Sequence, residues 1–283
     1  MQRKFIPGDQ WLYVKIYTGI HISDQILLKA ILPLCNKLIK EKIINSWFFI
    51  RYDDAGFHIR VRMLLVDTLY AGEVITRIKV ALSKYLQAEL IWKIQYDTYI
   101  RELERYGFQT THLSEKYFYY NSIDILRILK YNKKVNKEQW YYAFKMVDSI
   151  LENFNLSIKE KITLLKELDH DFQTEFQIDY PSSHQLGKKY RSIKEHIEEA
   201  MSDKAIERII NRNIKQKRQL ALQIQMEIFQ KEAVYLHDLI KSHIHMCLNR
   251  LIQFQQRTHE LVIYNSILRY YISKNIQQNN LIK

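Results

Sequence analysis

Three side chains with cationic or titratable heads recur at every second position in the stretch FHIRVR, residues 57 to 62. In an extended strand, side chains alternate between two faces and the chain rises about 3.3 Å per residue. His58, Arg60 and Arg62 therefore share one face, each roughly 7 Å from the next. Ile59, Val61 and Met63 share the other face. A row of like charges repels itself. Either the face is simply solvated, as one side of an antiparallel sheet often is, or it is built to receive an anion. Arginine suits the second use. Its planar fork matches a carboxylate through two parallel hydrogen bonds and stays charged when partly buried.

Two other stretches carry groups of chemical interest. In RELERYG, residues 101 to 107, Glu102 and Arg105 are three apart and share a face if the segment makes a helical turn. The bland alternative is an exposed ion pair of small energetic worth. In HIHMCLNRL, residues 243 to 251, His245 and Asn249 are four apart on one helical face, and His243 and Cys247 lie on another. A metal site would need third and fourth ligands at compatible geometry, and the sequence offers none nearby. No P-loop, GxGxxG, GxSxG or HExxH motif occurs.

The elements that must position these groups follow from periodicity. QWLYVKIYTG, rich in aromatic and β-branched residues, reads as a strand. SDQILLKAILPLCNKLIKEK has apolar residues at helical spacing, with Ser23 as the expected N-cap and Pro33 as a kink or split. NSWFFIRY is a second strand, DDAG a turn, and FHIRVRMLLV a third strand. DTLYAGEVITRIKVALSKYLQ is a helix capped by Asp67 or Thr68, and ELIWKIQYDTY a fourth strand. The order β-α-β-β-α-β over residues 10–100 predicts a ferredoxin-like antiparallel sheet with both helices on one face and the third strand in its interior.

Beyond residue 100 the period is helical. SEKYFYYNSIDILRILKYN, KEQWYYAFKMVDSILENF and SIKEKITLLKELDHDFQTEF are successive helices. DYPSSHQLGKKY, around Pro181 and Gly187, is the clearest breaker. A long charged helical stretch from Ser192 to Glu232, then AVYLHDLIKSHIHMCLNRLIQ and RTHELVIYNSILRYYISK, complete the chain. The expected class is α+β: a sheet lobe over 10–100 and a larger helical lobe over 101–283, together one domain over 1–283, with the helical lobe packed on the sheet.

Composition narrows the field. The 283 residues suffice for a sizeable core. Six glycines and three prolines leave little room for irregular chain. Two cysteines, Cys35 and Cys247, do not suggest a disulfide scaffold. There is no signal-like N-terminus and no run of about 18 apolar residues, which predicts a cytoplasmic protein. The net charge of +12 fits either lysine-rich composition or an anionic partner. The lysines are interleaved with acidic residues, which weakens the case for a nucleic-acid face.

WLYVKIYTG, SWFFIRYDDAGFHIRVR, YIRELERYG and SHIHMCLNRL together resemble the C-terminal elimination domain of class I lantibiotic dehydratases, a domain that also occurs alone as the thiopeptide-type bacteriocin biosynthesis protein. The resemblance covers almost the whole chain. It implies removal of glutamate from glutamylated Ser or Thr of a ribosomal precursor peptide, giving dehydroalanine or dehydrobutyrine. It implies catalytic roles for Arg60 and Arg62 in the HxRxR strand, for Glu102 and Arg105 in the ExxRYG motif, and for His245 in the HMxxNR stretch. His58 and Asn249 are the expected substrate-binding residues. Arg60, Arg62, Arg105 and His245 should then converge on one pocket. The sequence departs from the family pattern in two places: DDAGF where Pro is common in the turn, and Phe108 where a second glycine is common. Both concern loop shape more than charge.

The resemblance implies no metal, nucleotide or redox cofactor. It implies two partners: the precursor peptide and a separate tRNA-dependent glutamylating subunit, since 283 residues are too few to include that large domain. A homodimer is compatible with it. Two rivals stand beside elimination. One is the pyridine-forming [4+2] cycloaddition of stand-alone thiopeptide relatives, which tend not to keep the arginine and histidine set. The other is a non-catalytic peptide-binding subunit.

Overall fold

Alternation in three consecutive strands decides the first half of the chain. In the computed structural model, residues 1–231 and 236–281 are described, and the chain divides into two compact units, Met1–Val135 and Asn136–Lys283.

The first unit runs β1 (Lys4–Phe5), β2 (Trp11–Thr18), α1 (Ile20–Ile26), a π-helical turn (Leu27–Ile31), α2 (Leu32–Lys40), β3 (Ile44–Asp53), β4 (Phe57–Leu65), a 3-10 turn (Thr68–Tyr70), α3 (Ala71–Gln87), β5 (Ile91–Tyr96), β6 (Tyr99–Ile100), α4 (Leu103–Tyr106) and α5 (Thr111–Val135). The main sheet has the antiparallel order β3-β4-β2-β5, the expected ferredoxin-like arrangement with the FHIRVR strand in its interior. Register places Val14 and Phe49 opposite Val61, and Ile16 opposite Ile59. These residues are fully buried, as are Ile26, Leu27, Leu38, Val74, Ile78 and Leu82 of the helices. Each such side chain contributes about 1.5–3 kcal/mol of burial. Arg51, beside this apolar face, is buried too and bonds Ser23 Oγ at 2.8 Å and Asp24 at 2.5 Å, tying β3 to α1.

That contact corrects the expectation for Ser23. The helix begins four residues earlier, after Gly19, whose carbonyl accepts from the N–H groups of Ile22 and Ser23. Ser23 is buried inside the helix and serves Arg51. Pro33, expected to kink or split the helix, does not interrupt it: the backbone stays helical from Ile20 to Lys40. A proline cannot donate the i→i−4 bond, and the chain takes a wide π turn over Leu27–Ile31 just ahead of it. Asp67 caps the third-strand exit by accepting from Leu69 N at 2.9 Å.

The expected fourth strand ends earlier than its sequence pattern suggests. Asp97 turns its carboxylate onto Thr98 N at 2.7 Å and onto Lys15 at 2.6 Å. Tyr99 and Ile100 then leave the main sheet and pair with Phe5 and Lys4. Residues 101–135 also belong to the sheet unit, beyond the boundary expected near residue 100. α5 packs on β3, with Phe118 edge-on to Phe48 at 5.4 Å.

The second unit is helical: α6 (Gln139–Asn153), α7 (Ile158–Glu175), α8 (Tyr180–Ser202), α9 (Lys204–Asn211), α10 (Ile214–Lys231), α11 (Leu236–Leu251) and α12 (Gln256–Leu281). α12 packs on α7 and α8, and α11 on α6. Phe144, Val147, Leu164, Leu165, Ile244, Leu248 and Ile267 fill the space between them. Two expectations change here. The helical run does break, at residues 176–179, but most of the segment around Pro181 belongs to α8, because Pro181 falls in the first turn, where a missing N–H breaks no intrahelical bond. Gly187 lies inside that helix. The long charged stretch from Ser192 is interrupted at Asp203, whose carboxylate accepts from Ala205 N and Ile206 N and so caps α9. The expected helical residues 232–235 lie outside the described residues.

Candidate active site

Register decides what surrounds the three heads of FHIRVR. Residues directly opposite one another share a face. Tyr13, Lys15 and Tyr17 of β2 lie opposite Arg62, Arg60 and His58, and Phe48, Ile50 and Tyr52 of β3 lie opposite the same three. The cationic row is thus flanked mainly by aromatic rings.

His58 is buried and stacks on Tyr17 at 4.6 Å. Its Nδ1 lies 2.9 Å from the carbonyl of Gly56, and its Nε2 accepts from Arg60 Nε at 2.9 Å. An imidazole that accepts through Nε2 and donates through Nδ1 is neutral. Burial pushes its pKa down, and the charges of Arg60 and Lys15 add to the effect. The expected row of three cations is therefore two guanidiniums with a neutral ring beside them. His58, expected to bind substrate, has both nitrogens engaged within the sheet and holds Arg60. The turn supplies the geometry: Gly56 has φ +110°, a conformation that suits glycine, and this presents its carbonyl to His58.

Arg60 is 15% exposed at its side chain, with its guanidinium 3.5 Å from the centre of the Tyr52 ring and 4.0 Å from Asp54 Oδ2. Arg62 lies in a cage of three rings: Tyr99 at 4.7 Å, Tyr13 at 4.8 Å and Phe48 at 5.4 Å. Guanidinium over ring faces is an attractive arrangement that leaves the hydrogen-bonding edge unused. The Nε of Arg62 is buried and has no hydrogen-bond partner among the described residues, and no carboxylate there pairs with this side chain. Lys15, opposite Arg60, is held by Asp97; the pair raises the pKa of the lysine and lowers that of the aspartate.

The Tyr99 wall of the cage is itself fixed. Its hydroxyl donates to Glu115 at 2.9 Å. Arg101 grips the same carboxylate with two bonds, at 2.7 and 2.6 Å. Arg101 and Glu115 are both buried, and Arg101 also bonds the carbonyl of Gln2. No local spacing marks this pair. Arg101 stood in view beside Glu102, but its partner fourteen residues on carries no motif.

Glu102 and Arg105 do pair, at 3.1 Å, and both are exposed. The next residue, Tyr106, is buried and meets Phe118 at 5.2 Å, and Phe118 meets Phe48 under Arg62. A continuous aromatic path therefore links the ExxRYG turn to the guanidinium cage. Gly107, at φ +75°, ends α4, and its carbonyl accepts from both the backbone and the hydroxyl of Thr111. This turns the chain into α5.

In the second unit, His245 projects from α11 with its side chain 31% exposed. Its Nδ1 lies 2.7 Å from Oε1 of Glu260, a carboxylate of α12 that is 0% exposed. Glu260 also accepts from Gln256 at 3.1 Å, Tyr264 at 3.2 Å and Arg257 at 3.0 Å. Asn249 donates to Gln256 Oε1 at 2.8 Å, so its place is in the support of this cluster. His243 and Cys247 share the buried side of α11, and burial pushes the pKa of His243 down to about 3. Glu260 was not foreseen: it lies fifteen residues from His245 on another helix.

Among the described residues no three His, Cys, Asp or Glu side chains group as a metal site would require, and no helix is long and apolar enough to cross a membrane.

The chain is 29% identical to the nisin biosynthesis protein NisB of Lactococcus lactis subsp. lactis over 96% of its own length, but spans only 26% of NisB. Its fold matches the tRNA-dependent lantibiotic dehydratase MibB of Microbispora sp. 107891 with a TM-score of 0.71 at 19% identity, covering 96% of this chain and 29% of MibB. It also matches the pyridine synthase TbtD of thiomuracin biosynthesis, with a TM-score of 0.67 at 11% identity, over 93% of this chain and 99% of TbtD. The model of the family described as lantibiotic biosynthesis dehydratase C-term matches residues 11–271, and the chain belongs to that family.

Proposed function

We propose that this protein removes glutamate from glutamylated Ser and Thr residues of a ribosomally made precursor peptide. The observation that carries the reading is the Arg62 cage. Three rings hold a guanidinium whose Nε is buried without a partner among the described residues. A guanidinium that no carboxylate among the described residues neutralises suits an anionic substrate group. A glutamyl ester offers such groups: its free side-chain carboxylate, and the substrate carbonyl that gains negative charge in the reaction.

The chemistry divides among the named residues. A base takes the Cα proton of the esterified residue. The C–H electron pair becomes the Cα=Cβ bond, the Cβ–O bond breaks, and glutamate departs as a carboxylate. Arg62 and Arg60 stabilise charge as it develops, which fixed donors do best in a site that is partly withdrawn from water. Arg105, oriented by Glu102, holds a carboxylate of the glutamyl group. His245 carries the proton. Asn249 and His58 position other groups. The whole chain acts as one elimination domain in the cytoplasm. Its glutamylated substrate comes from a tRNA-dependent activity of the kind named in MibB.

The TbtD likeness keeps one other reading in play, pyridine formation from two dehydroalanines, because the same fold spans nearly all of that synthase. One experiment separates them. Purified protein is incubated with a glutamylated precursor peptide and, separately, with a peptide that already carries dehydroalanines, and both are followed by mass spectrometry. Elimination predicts loss of each glutamyl group as glutamic acid, leaving a product one water lighter per site than the unmodified peptide. An inert glutamylated peptide alongside a cyclised dehydroalanine peptide would establish the alternative.

A further inference from the structure

We infer that Glu260 is the positioning residue of His245: it fixes which ring nitrogen carries the proton and aims the other at the substrate. The inference rests on the role given to His245 above. Three observations and one rule of chemistry support it. Oε1 of Glu260 lies 2.7 Å from Nδ1 of His245. The carboxylate is fully buried while the imidazole is 31% exposed, so the acid lies behind the ring and not beside it in solvent. Gln256, Tyr264 and Arg257 hold the same carboxylate in place, which restricts its rotation. A carboxylate can only accept, so Nδ1 must be the donor. The lone pair of the neutral ring then sits on Nε2, ready to take a proton, and the imidazolium formed by that step is stabilised by the negative charge of Glu260. Carboxylate–histidine pairs on unrelated folds work in this way, and the geometry is recognised by role and not by sequence position.

Arg257, the charged partner of Glu260, has a second carboxylate in Glu175 at 3.2 Å. A neutral isostere at position 260 therefore leaves Arg257 paired.

The test uses the full chain labelled with ¹⁵N-histidine. The His245 signals are identified by their loss in His245→Gln. Neutral His245 should be the Nδ1–H tautomer in the wild type. In Glu260→Gln the tautomers should mix, with the Nε2–H form gaining population. On glutamylated peptide, kcat should fall at least about 10-fold, and at most about 10⁴-fold, with KM within about threefold. Glu260→Asp, which keeps the charge but withdraws it by one methylene, should lie between. A wild-type ring in the Nε2–H form overturns the pairing. So does a folded Glu260→Gln with wild-type kcat and an unchanged tautomer. Failure of the underlying reading looks different: wild type and His245→Gln would then turn over equally or not at all, and the tautomer alone would decide the pairing.

Discussion

The Nε of Arg60 donates to Nε2 of His58 across 2.9 Å, and the bond holds only while the imidazole is neutral. Burial lowers the pKa of His58 from the ordinary value of 6.5. At pH 6.5, where an ordinary histidine is half protonated, ¹⁵N NMR should show His58 neutral with its proton on Nδ1. A half-protonated His58 at that pH would refute the arrangement. Replacing it with Phe keeps a ring against Tyr17 but removes the acceptor for Arg60. Elimination should slow by about 10-fold or more, the equivalent of losing one hydrogen bond to a charged group at about 1.5–3 kcal/mol.

Arg62→Ala opens space among the buried rings of Tyr13, Phe48 and Tyr99, so circular dichroism is to establish first that the variant is folded. Glutamylated peptide should then accumulate, with the elimination rate down by about 10²–10³. Arg62→Lys should recover part of the loss, since an ammonium keeps the charge without the planar fork that stacks in the ring cage. The check is a single-turnover time course with purified glutamylated peptide. Undiminished elimination by Arg62→Ala would remove Arg62 from the mechanism.

Arg101 and Arg105 are four residues apart and should behave oppositely in denaturation. Arg101 and Glu115 are buried and bidentate. Arg101→Ala leaves a carboxylate in the interior without its partner and should cost about 3–5 kcal/mol in urea unfolding. Glu102→Ala breaks an exposed pair, with side chains 45% and 59% exposed, and should cost under about 1 kcal/mol. Its effect belongs in the rate. A small cost at Arg101, or a large one at Glu102, would contradict this division.

His243 gives stability a defined pH dependence. Its pKa is lowered to about 3, by burial first and by Arg250 second. The unfolded chain takes up this proton below about pH 6.5, and the folded chain only below about pH 3. The stabilisation is therefore complete above pH 6.5 and is lost on acidification through that window, at up to about 1.4 kcal/mol per pH unit. His243→Phe removes the titrating group. Urea midpoints of the two proteins should converge as the pH falls from 7 toward 4, within about that limit. Parallel curves would show that His243 does not titrate in this way.

Local pattern by itself determined the sheet unit. The period of two in β2, β3 and β4 and the helical spacing in α2 and α3 gave element type, order and the interior place of β4. A one-residue slip would move every apolar side chain out of the core. The face shared by His58, Arg60 and Arg62 followed from the same alternation, and the pairing of Glu102 with Arg105 from helical spacing. Chain-wide resemblance, not spacing, singled out His245 and foresaw the family.

What tertiary structure decided is everything set by partners distant in sequence. Spacing cannot show that burial favours a neutral His58 and that Arg60 bonds it, because strand neighbours on one face were expected to repel. The ring cage of Arg62 draws Tyr13, Phe48 and Tyr99 from three strands. Ser23 reads as a helix cap until Arg51, from another element, claims its hydroxyl. Asp203, by contrast, acts locally: its carboxylate accepts from Ala205 N and Ile206 N and starts α9 within a long run of good helix formers. Glu260 meets His245 only because α12 packs beside α11. A hydrogen bond depends on distance and angle between two atoms, and a chain that folds back on itself sets both through packing that no local period encodes.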